Sequence, residues 1–280
     1  MRNSYKVKFG FLLLIFVCLE ISCDKMETFE EPDLSTGWSV FFEEEFEQDF
    51  SKWFLWDAGA FNQEIQLYQS SQAELVDGQL KIDTRRQNIS GPTNIYDGTI
   101  KQFEYVSARL ESKELFSPSA SLGDSEYWFE ARIKLPEGHG MWPAFWTYGD
   151  PWPTRGEIDI LEFRGGERMK YLSNIFYGRQ ANVNINKNND KYHSFDFDLT
   201  QDFHTYGMIW RDESIDILFD NKIMYRYENN GDNNISEFFN KNQKIVLNTA
   251  VGGLFFSDKN SSNYADSSTM YVDWVRVHKR

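Results

Sequence analysis

Three acidic residues stand close together in Gly156-Glu157-Ile158-Asp159-Ile160-Leu161-Glu162-Phe163. The surrounding Ile and Leu favour a strand, whose side chains alternate between two faces. Glu157 and Asp159 then share one face while Ile158 packs behind them. Strict alternation would send Glu162 to the apolar side, where an unpaired charge is costly. One extra residue, a β-bulge near Ile160 or Leu161, returns Glu162 to the face of the other two. Three carboxyls in a row suit glycoside hydrolysis, which needs one group ionised to attack an anomeric carbon and one protonated to release the leaving oxygen. Like charges push one pKa up, and a middle Asp helps hold the outer two in different protonation states. Two other readings compete. Such acids can lie on a solvated face paired with Lys or Arg, although the flanks here are aromatic and glycine-rich rather than basic. They could also ligate calcium, but an ordered strand does not wrap round a cation as calcium requires.

The elements that must position this strand are short and β-like. Period-2 alternation runs through Gln79-Leu80-Lys81-Ile82-Asp83, Phe129 to Leu135 and Ser214 to Phe219. Turn signals punctuate them at Asp77-Gly78, Asp97-Gly98, Pro136-Glu137-Gly138, Arg164-Gly165-Gly166, Asp220-Asn221 and Gly252-Gly253. With no amphipathic helix of ordinary length, this spacing predicts an all-β sandwich or jelly roll. Neither a repeat nor a composition break follows residue 38, so one domain is expected over 38–280.

Residues 1–22 read as a targeting segment. Arg2, Lys6 and Lys8 precede an apolar run from Phe9 to Leu19, shorter than a spanning helix needs. Both cysteines of the chain, Cys18 and Cys23, lie here, so the domain holds no disulfide of its own. Leu19-Glu20-Ile21-Ser22-Cys23 resembles a bacterial lipobox, which implies lipidation at Cys23 and a lipid-anchored place in the cell envelope. Glu20 departs from the apolar residue usual at its position. Residues 23–37 are polar and acidic, the composition of a flexible tether.

The net charge of −14 argues against nucleic acid as partner, since phosphate recognition leans on clustered Lys and Arg. A neutral polymer is easier to reconcile with it. The aromatic load, 9 Trp, 14 Tyr and 24 Phe, exceeds what a core usually requires, so some rings should face a ligand. His139, His193, His204 and His278 lack metal-ligand spacing, and Gly252-Gly253 lacks the Lys and helix start of a phosphate loop.

Taken with its context, the Glu-x-Asp-x-x-Glu strand resembles that of glycoside hydrolase family 16, in its laminarinase-like branch. Phe129 to Pro136, Gly140-Met141-Trp142-Pro143-Ala144-Phe145-Trp146, Trp152-Pro153, Phe203 to Tyr206, Asn248 to Gly253 and Tyr271 to Val277 carry the likeness over the whole domain. The resemblance implies a β-jelly-roll sandwich of two curved antiparallel sheets with an open cleft, and retaining, endo-acting hydrolysis. It assigns Glu157 as nucleophile, Asp159 as its assistant and Glu162 as general acid/base. Trp142 and Trp146 match tryptophans of the family's cleft, with Trp152 as a further wall. Asn62 and Arg109 fall where the family places polar contacts on the non-reducing side. No cofactor is implied for the chemistry, but a structural Ca2+ would match Glu45, Gly78 and Asp273. The expected partner is a polysaccharide, the expected state a monomer, and the membrane enters only through the lipid.

Two departures bear on substrate. Phe176 stands where laminarinase-like members usually have His, and Ser117 to Ser125 is longer than usual and could build an extra cleft wall. A β-1,3- or mixed-linkage β-1,3/1,4-glucan is expected. The alternatives are an endo-β-galactosidase acting on galactan, keratan-type or mucin chains, and a catalytically silent glycan-binding lipoprotein, since fold alone does not license activity. Survival of both outer acids favours the enzyme.

Overall fold

Branched and aromatic residues alternate with polar ones along most of the chain, and the outcome is two stacked sheets. The computed structural model describes residues 29–118, 126–186, 189–231 and 233–280. Residues 1–22, read from sequence as a targeting segment, Cys23 and residues 119–125 of the long connection lie outside the described residues.

The first sheet contains β1 (Ser39–Glu44), β3 (Gln66–Tyr68), β4 (Ala73–Val76), β5 (Gln79–Asn94), β6 (Asp97–Ser107), β8 (Glu126–Lys134), β13 (His204–Arg211), β14 (Ser214–Phe219), β15 (Lys222–Glu228) and β17 (Ser267–Lys279). Its order is β15-β14-β13-β8-β17-β5-β6-β3, with β1 paired to β17 and β4 to β5. The second sheet contains β2 (Trp53–Leu55), β7 (Arg109–Ser112), β9 (Met141–Tyr148), β10 (Glu157–Glu162), β11 (Lys170–Phe176), β12 (Lys191–Ser194) and β16 (Lys244–Val251), in the order β12-β11-β10-β9-β16-β7-β2. Strand pairs are antiparallel except β3 with β6, which run parallel. The fold is a β-jelly-roll sandwich. Among the described residues the one α-helix, Ile235–Phe238, is a single turn, and no helix is long and apolar enough to cross a membrane.

The core lies between the sheets. Phe129, Ala131, Ile133, Met208, Val272 and Val275 of the first sheet meet Phe145, Ile158, Ile160, Leu161, Ile175 and Leu247 of the second, nearly all out of reach of water. Burial of this many large side chains, each contributing about 1.5–3 kcal/mol, makes the second sheet a stiff floor for whatever its outer face carries.

One turn falls elsewhere than its sequence signal. Asp97-Gly98 begins β6, and the hairpin turns instead at Ile95-Tyr96. The Asn94 side-chain oxygen accepts from the backbone N–H of Tyr96 at 2.8 Å and of Asp97 at 2.9 Å, capping the turn earlier. Residues 29–37 form no strand. Their end is nonetheless tied down: Leu34 and Trp38 pack on Trp128, Ile209 and Leu218, and the Trp38 indole donates to the carbonyl of Asp33.

Candidate active site

Gly156 adopts φ +76 and admits the chain into β10 beneath the ring of Phe239, where a Cβ would come within 2.5 Å of that ring. Along β10, Glu157 pairs with Tyr148 of β9 and Phe176 of β11, and Asp159 with Trp146 and Asn174. The register then slips. Leu161 pairs with Phe145, and Glu162 with Ala144 and Leu172. Ile160 and Leu161 are successive residues, yet both are fully buried in the core. That is the bulge, and it sets Glu162 beside Glu157 and Asp159 in one cleft.

The cleft has a volume of about 910 Å³. Its floor follows the same two-residue period on neighbouring strands: Trp142, Ala144, Trp146 and Tyr148 from β9, Asn248 and Ala250 from β16, and Arg109 from β7. The intervening Met141, Phe145 and Thr147 are buried on the other side. Loops supply the walls, among them Trp56, Asn62, Tyr96, Asp150 and Trp152. Cis peptide bonds precede Pro151 and Pro153 on either side of Trp152.

Each outer acid is held by one indole. Trp152 Nε1 donates to Glu157 Oε2 at 2.8 Å, and Trp142 Nε1 donates to Glu162 Oε1 at 3.0 Å. Desolvation raises Glu157 to about 7, resisted by the Trp152 hydrogen bond and by the charge of Arg109. Desolvation also raises Glu162, and the charge of Glu157 adds to it, so that this group reaches about 8. Between them Asp159 is 4% exposed and is pushed well above the usual carboxylate range, by burial first and then by Glu162 and Glu157. Its Oδ2 has no hydrogen-bond partner in the structure, which suits a protonated carboxyl better than an anion. The trio can therefore carry an ionised Glu157 beside a protonated Glu162 near neutral pH.

The tryptophans differ in surroundings. Trp146 donates to Asn248 Oδ1 at 2.8 Å, and Asn248 Nδ2 donates to the Tyr68 hydroxyl at 3.1 Å. Phe255 covers one face of Trp142, with ring centroids 4.3 Å apart and 14° between planes, and Arg164 caps Phe255 at 3.9 Å. A sugar thus has only the other face of Trp142 to stack on. Asn62 sits in the wall at φ +57, beside the buried Glu64, whose Oε2 accepts from Gln66 Nε2 at 2.7 Å. Arg109 lines the cleft but is no surface residue. It is 6% exposed, lies between the rings of Trp56 at 3.9 Å and Trp146 at 4.8 Å, and donates to Glu111 at 2.7 Å.

Outside the cleft, Glu45 accepts from Arg276 at 2.8 Å and Asp273 from Arg132 at 2.5 Å, while Gly78 turns β4 into β5 at φ +74. With both carboxylates engaged by guanidinium groups, these residues do not fit a cation as they stand. Among the described residues no group of three His, Cys, Asp or Glu is gathered for a metal. Phe176 faces Glu157 across the β10–β11 pair, its ring centroid 6.4 Å from that of Trp152. Ser117, the described start of the long connection, lines a separate shallow hollow with Arg155, Arg179 and Glu237.

Sequence reasoning missed Trp56, Glu64, Tyr96, Tyr148, Asn248 and Phe255. Extending the β9 alternation from Trp142 through Trp146 would have found Tyr148. Phe255 and Tyr96 carry no local signal, because distant loops bring them in.

The model of the family described as "Glycosyl hydrolases family 16" matches residues 61–276. The chain is 31% identical over 239 residues to the Cryptopygus antarcticus protein named "Glucan endo-1,3-beta-glucosidase", covering 77% of this chain and 81% of that one. It is 29% identical over 232 residues to "Glucan endo-1,3-beta-glucosidase A1" of Niallia circulans, covering 78% of this chain but only 32% of that longer protein. The X-ray structure of endo-beta-1,3-glucanase from Pyrococcus furiosus superposes with a TM-score of 0.72 at 28% identity, covering 86% of this chain and 94% of that one.

Proposed function

Because this chain belongs to glycosyl hydrolase family 16, we propose that it is a retaining endo-β-glycosidase cutting internal linkages of a neutral β-1,3- or mixed β-1,3/1,4-glucan. The observation that carries this reading is the bulge, which gathers three carboxyls on a cleft floor, where burial raises the outer two and each is held by its own indole. Glu157, whose charge Arg109 and the Trp152 indole favour, attacks the anomeric carbon. Glu162 gives its proton to the leaving oxygen, and a covalent glycosyl–enzyme forms. Glu162, now ionised, takes a proton from water as that water attacks the same carbon and Glu157 departs. A protonated Asp159, whose Oδ2 is unpartnered in the structure, has its proton free to donate to an ionised neighbour during the reaction. Trp142, Trp146 and Trp152 offer rings to the apolar faces of the sugars, and Asn62 offers its amide to their hydroxyls.

Charge supports the choice of a neutral polymer. Asp97 and an ionised Glu157 leave the cleft negative, Asp150 is paired with Lys244, and Arg109, the one basic residue lining it among the described residues, is already neutralised by Glu111. A sulfated or uronate chain would meet net negative charge and no unpaired cation among the described lining residues. The names of the two relatives point to the same glucans. Phe176, an apolar residue beside the reacting sugar, keeps a second reading in view, an endo-β-galactosidase on uncharged galactan, keratan-type or mucin chains.

Digestion of laminarin, barley mixed-linkage glucan, agarose, keratan-type chains and mucin glycans, with products read by mass, tests the substrate. Internal oligosaccharides from the glucans alone are expected, with the β-anomer first to appear by NMR. Glu157→Gln should lose at least about four orders of magnitude in turnover while keeping its fold. Turnover unchanged in that variant, or an α-anomer formed first, would end the proposal. The lipobox resemblance supports lipidation of Cys23 and a place on the bacterial envelope. Cys23→Ala should release the protein from membranes, and a variant still sedimenting with them would exclude the anchor.

A further inference from the structure

The hairpin of β5 and β6 is the longest excursion of the first sheet, and its tip does not stay over that sheet. Register slips between Arg86 and Ile89 and between Pro92 and Asn94 bend it. It then docks on the loop after Trp56: the Gly59 N–H donates to the Pro92 carbonyl at 2.9 Å. A Cβ at Gly59 would meet Phe103 at 2.4 Å and the Thr93 carbonyl at 2.5 Å, so this approach needs glycine. The tip itself is held by the Asn94 side chain and by a bond from Thr93 Oγ1 to the Thr99 carbonyl at 2.8 Å.

What this backbone presents is aromatic. Tyr96 is 71% exposed and Phe61 is 45% exposed, with ring centroids 6.5 Å apart at 32°, and Trp56 meets Phe61 edge-on at 6.4 Å. All three line the cleft that contains the acids. Single exposed aromatics are ordinary. Two neighbouring rings, fixed on a hydrogen-bonded turn and facing a concave surface continuous with the site, are the arrangement of a ligand contact. Ring contacts run from Tyr96 to Phe61 and from Phe61 to Trp56, and the Arg109 guanidinium lies 3.9 Å from the Trp56 ring, which puts the tip at the Arg109 end of the cleft.

We propose that Tyr96 and Phe61 form a remote sugar-binding subsite, in which the hairpin tip stacks a pyranose ring of the glycan away from the bond being cut. The subsite rests on the glycanase reading and deepens it. It rewards chain length, since only a substrate that reaches from the acids to the tip gains the contact. The flanking Asp97 carboxylate also lines this end, and with its Oδ1 taken by the Thr99 N–H its Oδ2 is the acceptor offered to ring hydroxyls.

The test is a length series of laminari-oligosaccharides from trisaccharide to octasaccharide, cleaved by wild type, Tyr96→Ala, Phe61→Ala and Tyr96→Trp. Tyr96→Ala should lose roughly tenfold in kcat/KM on the longest members through KM, with the shortest cleaved member unchanged. Tyr96→Trp should restore the long-chain rate. An equal loss at every length, or no loss at any, would overturn the subsite. Failure of the wild type to cut any member would instead refute the glucan reading. Binding of the octasaccharide to Glu157→Gln, with and without Tyr96→Ala, reads the subsite without turnover, and equal affinities refute it. Retention of the wild type but not Tyr96→Ala on phosphatidylcholine vesicles, with long-chain turnover intact, would give the tip to a lipid surface and likewise overturn it.

Discussion

Trp152→Phe isolates the hydrogen bond that opposes the burial-driven rise of the Glu157 pKa. The variant keeps an aromatic wall and removes only the indole N–H, which lies 2.8 Å from the carboxylate. A hydrogen bond to a charged group contributes about 1.5–3 kcal/mol, equivalent to roughly one to two pH units. Burial has already raised Glu157 to about 7, and losing the donor moves it further in the same direction. Turnover needs this group ionised and Glu162 protonated. Raising the Glu157 pKa therefore moves the acid limb of the kcat/KM profile toward alkaline pH and narrows the bell, whose limbs belong to the carboxyl set as a whole. At pH values below the limb, kcat/KM should fall about 10- to 100-fold, with the basic limb in place. Trp142→Phe is the matched control. It removes the bond to Glu162 at 3.0 Å and should raise the basic limb instead. Profiles measured on a soluble glucan decide the matter. A Trp152→Phe profile lowered evenly at all pH, with both limbs unmoved, would mean that the ring is only a wall and that its N–H does not govern the ionisation of Glu157.

Stability should respond to the same acids. Glu162 is raised from 4.5 to about 8, so between those values the folded state holds a proton that the unfolded chain has lost. Stability on this account is greatest below the lower value and falls as pH rises through about 8. The cost of ionising the group in place is on the order of 5 kcal/mol. Glu162→Gln should accordingly melt several degrees above wild type at pH 8 and close to it at pH 5 by scanning calorimetry; the reverse order would contradict the burial argument. Arg109→Met leaves Glu111, 3% exposed, with Lys244 as its remaining cationic partner, and should cost about 3–5 kcal/mol by urea unfolding. The double variant Arg109→Met with Glu111→Leu should recover most of that loss, and failure to do so would show that packing between Trp56 and Trp146, rather than charge pairing, holds the site.

The chain's own order of residues determined a good deal. Alternation in β5, β8 and β14 and the placement of turns such as Asp220-Asn221 specify an all-β domain, because a strand's two faces impose a period of two on any half-buried segment. Glu162 against that period specified the bulge, since a buried unpaired carboxylate is too costly to leave in the core. The cleft's chemistry was therefore written in eight contiguous residues, Gly156 to Phe163. Tertiary structure decided what no local pattern carries. Phe255 reaches Trp142, Trp56 reaches Arg109 and Tyr96 reaches Phe61 only because separate loops converge. The proton affinities of Glu157 and Glu162 follow from how much water the finished cleft excludes and from indole donors on other segments. Even the Asp97-Gly98 turn yielded to a side chain three residues upstream. Desolvation and convergence are properties of the assembled volume, and a linear chain has neither until it folds.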